Sequence, residues 1–420
     1  MMAAIRLLHT SDWHLGLELG GHDRLEEQGI FLDWLLAACV SERIDALLVA
    51  GDIYDVANPS IAAQAALARF LVEFHRALPA ATAVLVAGNH DSGARLEIPS
   101  AFASALGRIA LVGATRPEDP GSHLVVLTDS DGKPAATCLA VPFPRAAELD
   151  CRLGDGESPD EAYSRTVDEF YAELSRLARA RHPGLPVVAM GHLALAGSVR
   201  SRSERVLIGG LESVESASVA RHADYVALGH IHRAQKAGAE SCRYSGSPLA
   251  MDFDERRHPH QVLVVVLEEP GGAPVVRAVE VPEFVPFLRF PEGEGTWSDL
   301  EREVRAFDWD PWRTRSPGLR PLVELRFRPD GTESDLRRRT EELVAGVPIR
   351  LVGSPRPLEA EGVRTAKEEG RTVVDLAAGD APRGIFRAHW ESRHGSPPPE
   401  EVDSCFREVL DAVRTGREGA

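Results

Sequence analysis

Five short fragments constrain this chain more than any other feature: Asp12-Trp13-His14, Gly51-Asp52, Gly88-Asn89-His90-Asp91, Gly191-His192 and Gly229-His230-Ile231-His232. Each closes an apolar, strand-like run with side chains that bind metal. As candidate ligands they supply two aspartates (Asp12 and Asp52), one asparagine and several imidazoles from positions spread over more than 200 residues. That mixture of oxygen and nitrogen donors suits a pair of borderline divalent ions such as Mn, Fe or Zn. Metal-dependent phosphoester chemistry is the reading that follows.

The runs before the fragments are short and rich in β-branched residues or leucine: 5–8, 46–50, 83–87, 186–190 and 225–228. Such runs read as buried strands. Amphipathic stretches at 31–40 and 61–75 read as helices between them. The alternation predicts an α/β layered domain. Its metal-type residues sit at the carboxyl ends of the strands, where open α/β sheets place their ligands. Four fragments carry glycine directly before the first polar residue (Gly51, Gly88, Gly191, Gly229). Glycine allows the tight turn and close backbone approach of a crowded ion site. Any one of these glycines could merely end a strand; four together argue against that.

At 420 residues the chain is expected to form two or three domains. The five cysteines form no C-x-x-C pair, which disfavours a zinc ribbon or disulfide framework and predicts a reducing, cytoplasmic setting. No basic and apolar leader precedes the first strand, and no apolar run approaches ~18 residues, so neither export nor a membrane span is expected. A net charge of −17 argues against coating nucleic acid through overall charge. It leaves room for a nuclease, because two divalent ions held by two carboxylates leave a local cationic focus.

A loop-type stretch at 268–274 predicts a boundary, giving a first domain of 1–270. Beyond it, strands at 285–288, 322–327 and 349–352 alternate with helices at 297–307 and 333–344, a compact β/α module of 283–354. The tail, 382–415, holds two short amphipathic helices. One carries Ile385, Phe386, His389 and Trp390; the other carries Val402, Cys405, Phe406, Val409, Leu410 and Val413. Such helices cannot bury both apolar faces alone. They either fold back on the module or dock on a partner.

Asp12 and His14, two apart, project to one side of an extended chain, as do His230 and His232. Asp52 is placed to bridge two ions, Asn89 offers a neutral carbonyl oxygen, and His192 completes the set. Two ions ~3.5–4 Å apart lower the pKa of a bridging water and clamp phosphoryl oxygens, so no protein base is needed. The leaving oxygen still benefits from a proton donor. His90 is assigned that role, or that of phosphate stabiliser, with Asp91 orienting its ring; the competing reading makes His90 a ligand or a supporting residue. Asp55 either holds a water or steers substrate, or is a plain loop carboxylate. Arg200, Arg202 and Arg205 are candidates for phosphate contacts or a solvated loop, with Arg24 and Arg95 weaker candidates.

The runs His9-Thr10-Ser11-Asp12-Trp13-His14-Leu15-Gly16, Ala50-Gly51-Asp52-Ile53-Tyr54-Asp55 and Ala87-Gly88-Asn89-His90-Asp91-Ser92 resemble the calcineurin-like metallophosphoesterases. Ala227-Leu228-Gly229-His230-Ile231-His232-Arg233-Ala234-Gln235 and Tyr244-Ser245-Gly246-Ser247-Pro248 narrow the likeness to the SbcD-type nuclease subunits of bacterial SbcCD complexes. That resemblance, good over 5 to about 255, implies a two-layer β-sandwich flanked by helices with two Mn ions at one end. The first ion would take Asp12, His14, Asp52 and His232; the second Asp52, Asn89, His192 and His230. His90 matches the family's catalytic histidine. The β/α module corresponds to a DNA-positioning capping domain, and the C-terminal helices to the element that binds an SbcC-type ATPase. Dimerisation would use 61–75 and the stretch after Arg95, giving a homodimer within a heterotetramer.

The activity implied is that of a Mn-dependent 3′-to-5′ double-strand DNA exonuclease and single-strand or hairpin endonuclease serving repair, replication and recombination. ATP would be hydrolysed by the partner, since no G-x-x-x-x-G-K-[ST] occurs here. The rivals are a stand-alone enzyme for phosphomonoesters or cyclic nucleotides, and a non-catalytic scaffold.

Overall fold

The computed structural model describes residues 4–100, 102–103, 107–201, 204, 214–215, 219–329, 335–357, 390, 397–399, 402–403 and 406. The chain divides into two units, Met1–Arg356 and Pro357–Ala420. Most of the second unit, including the expected apolar stripes at Ile385, Phe386, His389, Cys405, Val409, Leu410 and Val413, lies outside the described residues.

The strands, in chain order, are β1 (Ile5–Thr10), β2 (Glu18–Leu19), β3 (His22–Asp23), β4 (Ala46–Ala50), β5 (Thr82–Val86), β6 (Ile109–Val112), β7 (Leu124–Thr128), β8 (Pro134–Ala140), β9 (Val187–His192), β10 (Tyr225–Gly229), β11 (Gln235–Ala237), β12 (Ala239–Tyr244), β13 (Gln261–Leu267), β14 (Val275–Glu280), β15 (Phe287–Phe290), β16 (Leu322–Phe327) and β17 (Arg350–Leu351). The helices are α1 (Leu25–Glu42), α2 (Ile61–Ala77), α3 (Gly93–Glu97), α4 (Pro159–Arg181), α5 (Trp297–Ala306), α6 (Asp310–Arg313) and α7 (Leu336–Val344).

Two six-stranded sheets form the body, ordered β14-β13-β1-β4-β5-β6 and β11-β12-β10-β9-β8-β7. Between them Leu7, Leu48 and Val84 of one sheet meet Val188, Met190 and Ala227 of the other in an apolar core. Outside the first sheet, Phe31 and Leu35 of α1 and Phe70 and Phe74 of α2 cover Leu8, Leu47 and Leu85. Outside the second, Val167, Phe170 and Leu174 of α4 cover Leu139, Ala189 and Val226. Strands covered on both faces need continuous apolar runs, which is why 46–50 and 225–229 hold no charge. The fold is the expected helix-flanked β-sandwich.

The β1-β4-β5-β6 and β8-β9-β10-β12 sets are parallel, so their carboxyl ends point the same way within each sheet. The 268–274 stretch is the turn of a hairpin, because β14 pairs antiparallel with β13 from Gln261↔Glu280 to Val266↔Val275. The first sheet therefore runs to Glu280, past the expected boundary at 270. Proline and glycine mark a tight turn as readily as a linker.

The β/α module builds a parallel sheet in the order β15-β16-β17, with Trp297, Leu300 and Val304 of α5 and Leu343 of α7 packed on it. It sits against the body: Phe287 and Leu322 cluster with Ala250 and Phe253, and Arg350 donates to the Asp23 carbonyl (3.0 Å).

Candidate metal centre

Seven residues expected as ligands meet at the strand ends. Asp12 and His14 follow β1, Asp52 follows β4 and Asn89 follows β5; His192 ends β9, while His230 and His232 follow β10. All but the partly buried Asn89 are buried. Asp12, His14, Asp52 and His230 have positive φ (55°, 46°, 48° and 94°). Non-glycine residues held there cost about 1–3 kcal/mol each, and such strain clusters at functional sites. Asp12 N donates to the Gly51 carbonyl and His14 N to that of Asp52 (both 3.0 Å). Asp12 and His14 therefore pair as expected, but they converge through a turn rather than along an extended chain.

Three groups result, Asp12 with His14 and His232, His14 with Asp52 and His90, and Asp52 with His192 and His230; in each, the ligand atoms lie within 4.8 Å of one another. Asp52 joins them: its Oδ2 is 3.3 Å from His192 Nε2 and 3.6 Å from His14 Nε2. Asn89 Oδ1 lies 3.0 Å from both His192 Nε2 and His230 Nδ1. The residues fit divalent metal. His14 Nε2 is buried, has no hydrogen-bond partner among the described residues and faces a carboxylate; the donors are imidazole, carboxylate and amide oxygen throughout.

Glycine makes the crowding possible. A Cβ on Gly88 would stand 2.1 Å from Asp52 Oδ1, and one on Gly229 would stand 1.8 Å from the Ala50 carbonyl oxygen across the sandwich.

The electrostatics are those of a histidine–carboxylate cluster. Burial alone would raise the Asp52 carboxyl, yet His192, His14 and His90 hold it well below the ordinary carboxylate range. Burial would likewise lower His192 and His232, but Asp52 and Glu255 respectively raise them to about 9. His230 is pushed down to about 3 by burial and by His192.

His90 lies beside this cluster, its Nε2 4.0 Å from Asp52 Oδ2 and its Nδ1 2.7 Å from the Asp55 main-chain oxygen. The geometry does not give Asp91 the expected ring-orienting place. Its carboxylate accepts the N–H groups of Gly88 (2.8 Å), Tyr54 (2.9 Å) and Ile53 (3.1 Å), three donors that two strand-end turns aim at one point. Asp91 ties the loop after β4 to the loop after β5, and Asp55 orients His90 through its main chain. The Asp55 carboxylate also reaches His14 Nδ1 (3.2 Å), so it supports a ligand ring.

Among the arginines, Arg24 is buried, pairs with Glu27 (2.9 Å) and lies over the Phe287 ring, which makes it structural. Arg95 and Arg200 are exposed; Arg202 and Arg205 lie outside the described residues. Sequence reasoning missed Glu255, fully buried, whose Oε1 lies 2.9 Å from His232 Nδ1. It also missed the contact of Glu204, whose Oε1 accepts from His232 N (2.8 Å). Nothing in the spacing of either residue announces these contacts.

A helix-flanked sandwich carrying joined histidine–carboxylate groups at its strand ends defines a metal-dependent phosphoesterase, and residues 5–234 match the calcineurin-like phosphoesterase family. The SbcD component of the SbcCD nuclease from Rhodobacter capsulatus is 36% identical over 91% of this chain and 94% of its own length. The component of the same name from Escherichia coli K12 is 30% identical (89% and 90% covered), and that from Bacillus subtilis 33% (72% and 78%). The chain belongs to the SbcD family of calcineurin-like phosphoesterases, and is a metal-dependent phosphodiester hydrolase. Among the described residues no helix is long and apolar enough to cross a membrane.

Proposed function

We propose that this chain is the Mn-dependent nuclease subunit of an SbcCD-type complex, acting on DNA as a 3′-to-5′ double-strand exonuclease and a single-strand or hairpin endonuclease in repair, replication and recombination. The observation that carries the chemistry is the single Asp52 carboxylate oxygen facing both His14 and His192, with His90 beside it. Asp12, His14, Asp52 and His232 would hold one ion, and Asp52, Asn89, His192 and His230 the other. When bound, the ions supply an acidified water and charge stabilisation for the phosphoryl oxygens.

His90 serves the other side of the displacement. With its Nδ1–H donated to the Asp55 carbonyl, the neutral ring has no proton at Nε2, so it acts as a general acid in the imidazolium form. The Asp55 carboxylate lies 3.9 Å from the same Nδ1. The proton then passes from Nε2 to the oxygen leaving phosphorus. Arg200 is offered as a phosphate contact near this site.

The partners follow from the same reading. The relatives are named as components of SbcCD, which supports an SbcC-type ATPase as the partner of the 382–415 tail, with 283–354 as the DNA-positioning cap. Ile61, Ile98 and Phe102 are 86%, 73% and 80% exposed, an apolar surface that supports pairing of two copies through α2 and the stretch after Arg95. The test is cleavage by the full chain, alone and with its ATPase partner, of a hairpin DNA and of a small phosphomonoester in the presence of Mn. Cleavage of the DNA is expected; cleavage of the monoester alone would favour a stand-alone phosphatase.

A further inference from the structure

The loop between β12 and β13 touches both the metal centre and the cap. On its inner side, Glu255 is fully buried, with Oε1 2.9 Å from His232 Nδ1 and Oε2 accepting Met251 N–H at 2.8 Å. The Glu255 carbonyl accepts His258 N–H at 2.8 Å, and its N–H reaches Asp252 Oδ1 at 3.1 Å. On its outer side the same loop meets the cap. The Phe253 ring lies 5.1 Å from that of Phe287 on β15, and Asp254 Oδ1 lies 3.2 Å from Arg289 Nη2 on the same strand. Arg24 of the body closes the contact, donating to the Ala250 carbonyl (2.6 Å) and lying 4.9 Å over Phe287.

The histidines of the centre differ in what holds them. His192 donates Nδ1–H to the Ala50 carbonyl, a fixed point on a central strand. His232 is held by a side chain from a loop that the cap helps to seat. A ligand imidazole is aimed by the partner of its other nitrogen, and such partners weigh about 10–100-fold in metal affinity. With Nδ1 engaged, His232 presents Nε2 toward Asp12 and His14.

We propose that Glu255 is a positioning residue for His232, and that the 249–258 loop makes the affinity of one of the two metal positions depend on the seating of the cap. A movement of β15 transmitted through Phe253 and Asp254 would shift the Glu255 carboxylate and turn the His232 ring. The Asp52–His192–His230 position, whose His192 ring is anchored on the Ala50 carbonyl, would not feel it. The proposal rests on the two-metal reading above and adds regulation to it.

Mn binding to the full chain, read by titration calorimetry and by the electron-spin signal of unbound Mn, tests both separately. If the parent chain binds no Mn, the two-metal reading falls. If the parent binds two ions, Glu255→Ala is expected to weaken one about 10–100-fold and spare the other. Glu255→Gln, which keeps an acceptor for Nδ1–H, should lose less, though still about threefold or more at the same position. Phe253→Ala and Arg289→Ala should give smaller losses there. Parent-like binding by Glu255→Ala, or equal losses at both ions, would overturn the positioning role. Should Glu255→Ala not fold, parent-like binding by Glu255→Gln has the same force. Parent-like binding by both cap-contact variants would remove the cap from the account.

Discussion

The two halves of the metal centre are built by different means. In the half formed by Asp52, Asn89, His192 and His230, a strand holds the central ring: His192 ends β9, pairs with Gly229 of β10 and donates to the Ala50 carbonyl of β4, while Asp52, Asn89 and His230 stand in the turns just past β4, β5 and β10. In the half formed by Asp12, His14 and His232, side chains from loops hold the rings, Asp55 for His14 and Glu255 for His232. Backbone carbonyls in a packed sandwich are fixed by the core around them. Carboxylates on loops are fixed only as well as their loops. The first half is thus preset by the fold, whereas the second is open to adjustment.

The largest effect should come from the residue common to both halves. Asp52→Ala is expected to reduce phosphodiester turnover by about a thousandfold or more, because in the proposed two-metal site both ions and their transition-state stabilisation would depend on it. Mn titration should show both positions weakened; loss of one alone would mean that Asp52 belongs to a single half. His90→Ala should lower kcat by about 10²–10⁴-fold while leaving Mn affinity near the parent value. A parallel fall in Mn affinity would make His90 a ligand and add a third element to the division. Gly229→Ala strikes the sheet-built half hardest, driving a methyl into the Ala50 carbonyl and against the His192 ring, and meets the other half only through Ser11 beside Asp12. A stability loss of about 1–3 kcal/mol is expected in denaturant titration, with the His192 position weakened before the His232 position.

That division also explains what could be read from the chain in advance. The sheet-built half announces itself, because buried strands need apolar runs and their ends need glycine before a ligand: Val86-Ala87-Gly88-Asn89 and Leu228-Gly229-His230 carry their function in adjacent residues. Glu255 carries none, since its role arises where a loop folds back on His232 and no periodicity marks that meeting. Asp91 misled for a related reason. Adjacency to His90 suggested a contact, but the turns at Ile53, Tyr54 and Gly88 present three N–H groups to its carboxylate. Two further omissions had a signal. Helix α4 opens with Ser158 and Glu161 in a reciprocal cap, and β14 follows a Pro/Gly turn with alternating residues, exposed as an edge strand should be.

The smallest expected effect is in pH dependence, and it separates the halves by their charges. In the metal-free protein burial would depress His232 and His192, while Glu255 and Asp52 raise them to about 9, above the ordinary value of about 6.5. A raised folded pKa gives stability that is fully present below about pH 6.5 and is lost as pH rises through about 9. The metal-free chain should therefore melt at lower temperature at pH 9 than at pH 6.5. Mn, which needs both imidazoles neutral, should bind more tightly across the same interval and release protons as it does so. Glu255→Gln removes the carboxylate that holds His232 charged and leaves Asp52 beside His192. The fall in melting temperature between pH 6.5 and 9 should then shrink by an amount on the order of 2 °C, without vanishing. An unchanged slope would place the whole effect in the sheet-built half and leave His232 indifferent to its loop.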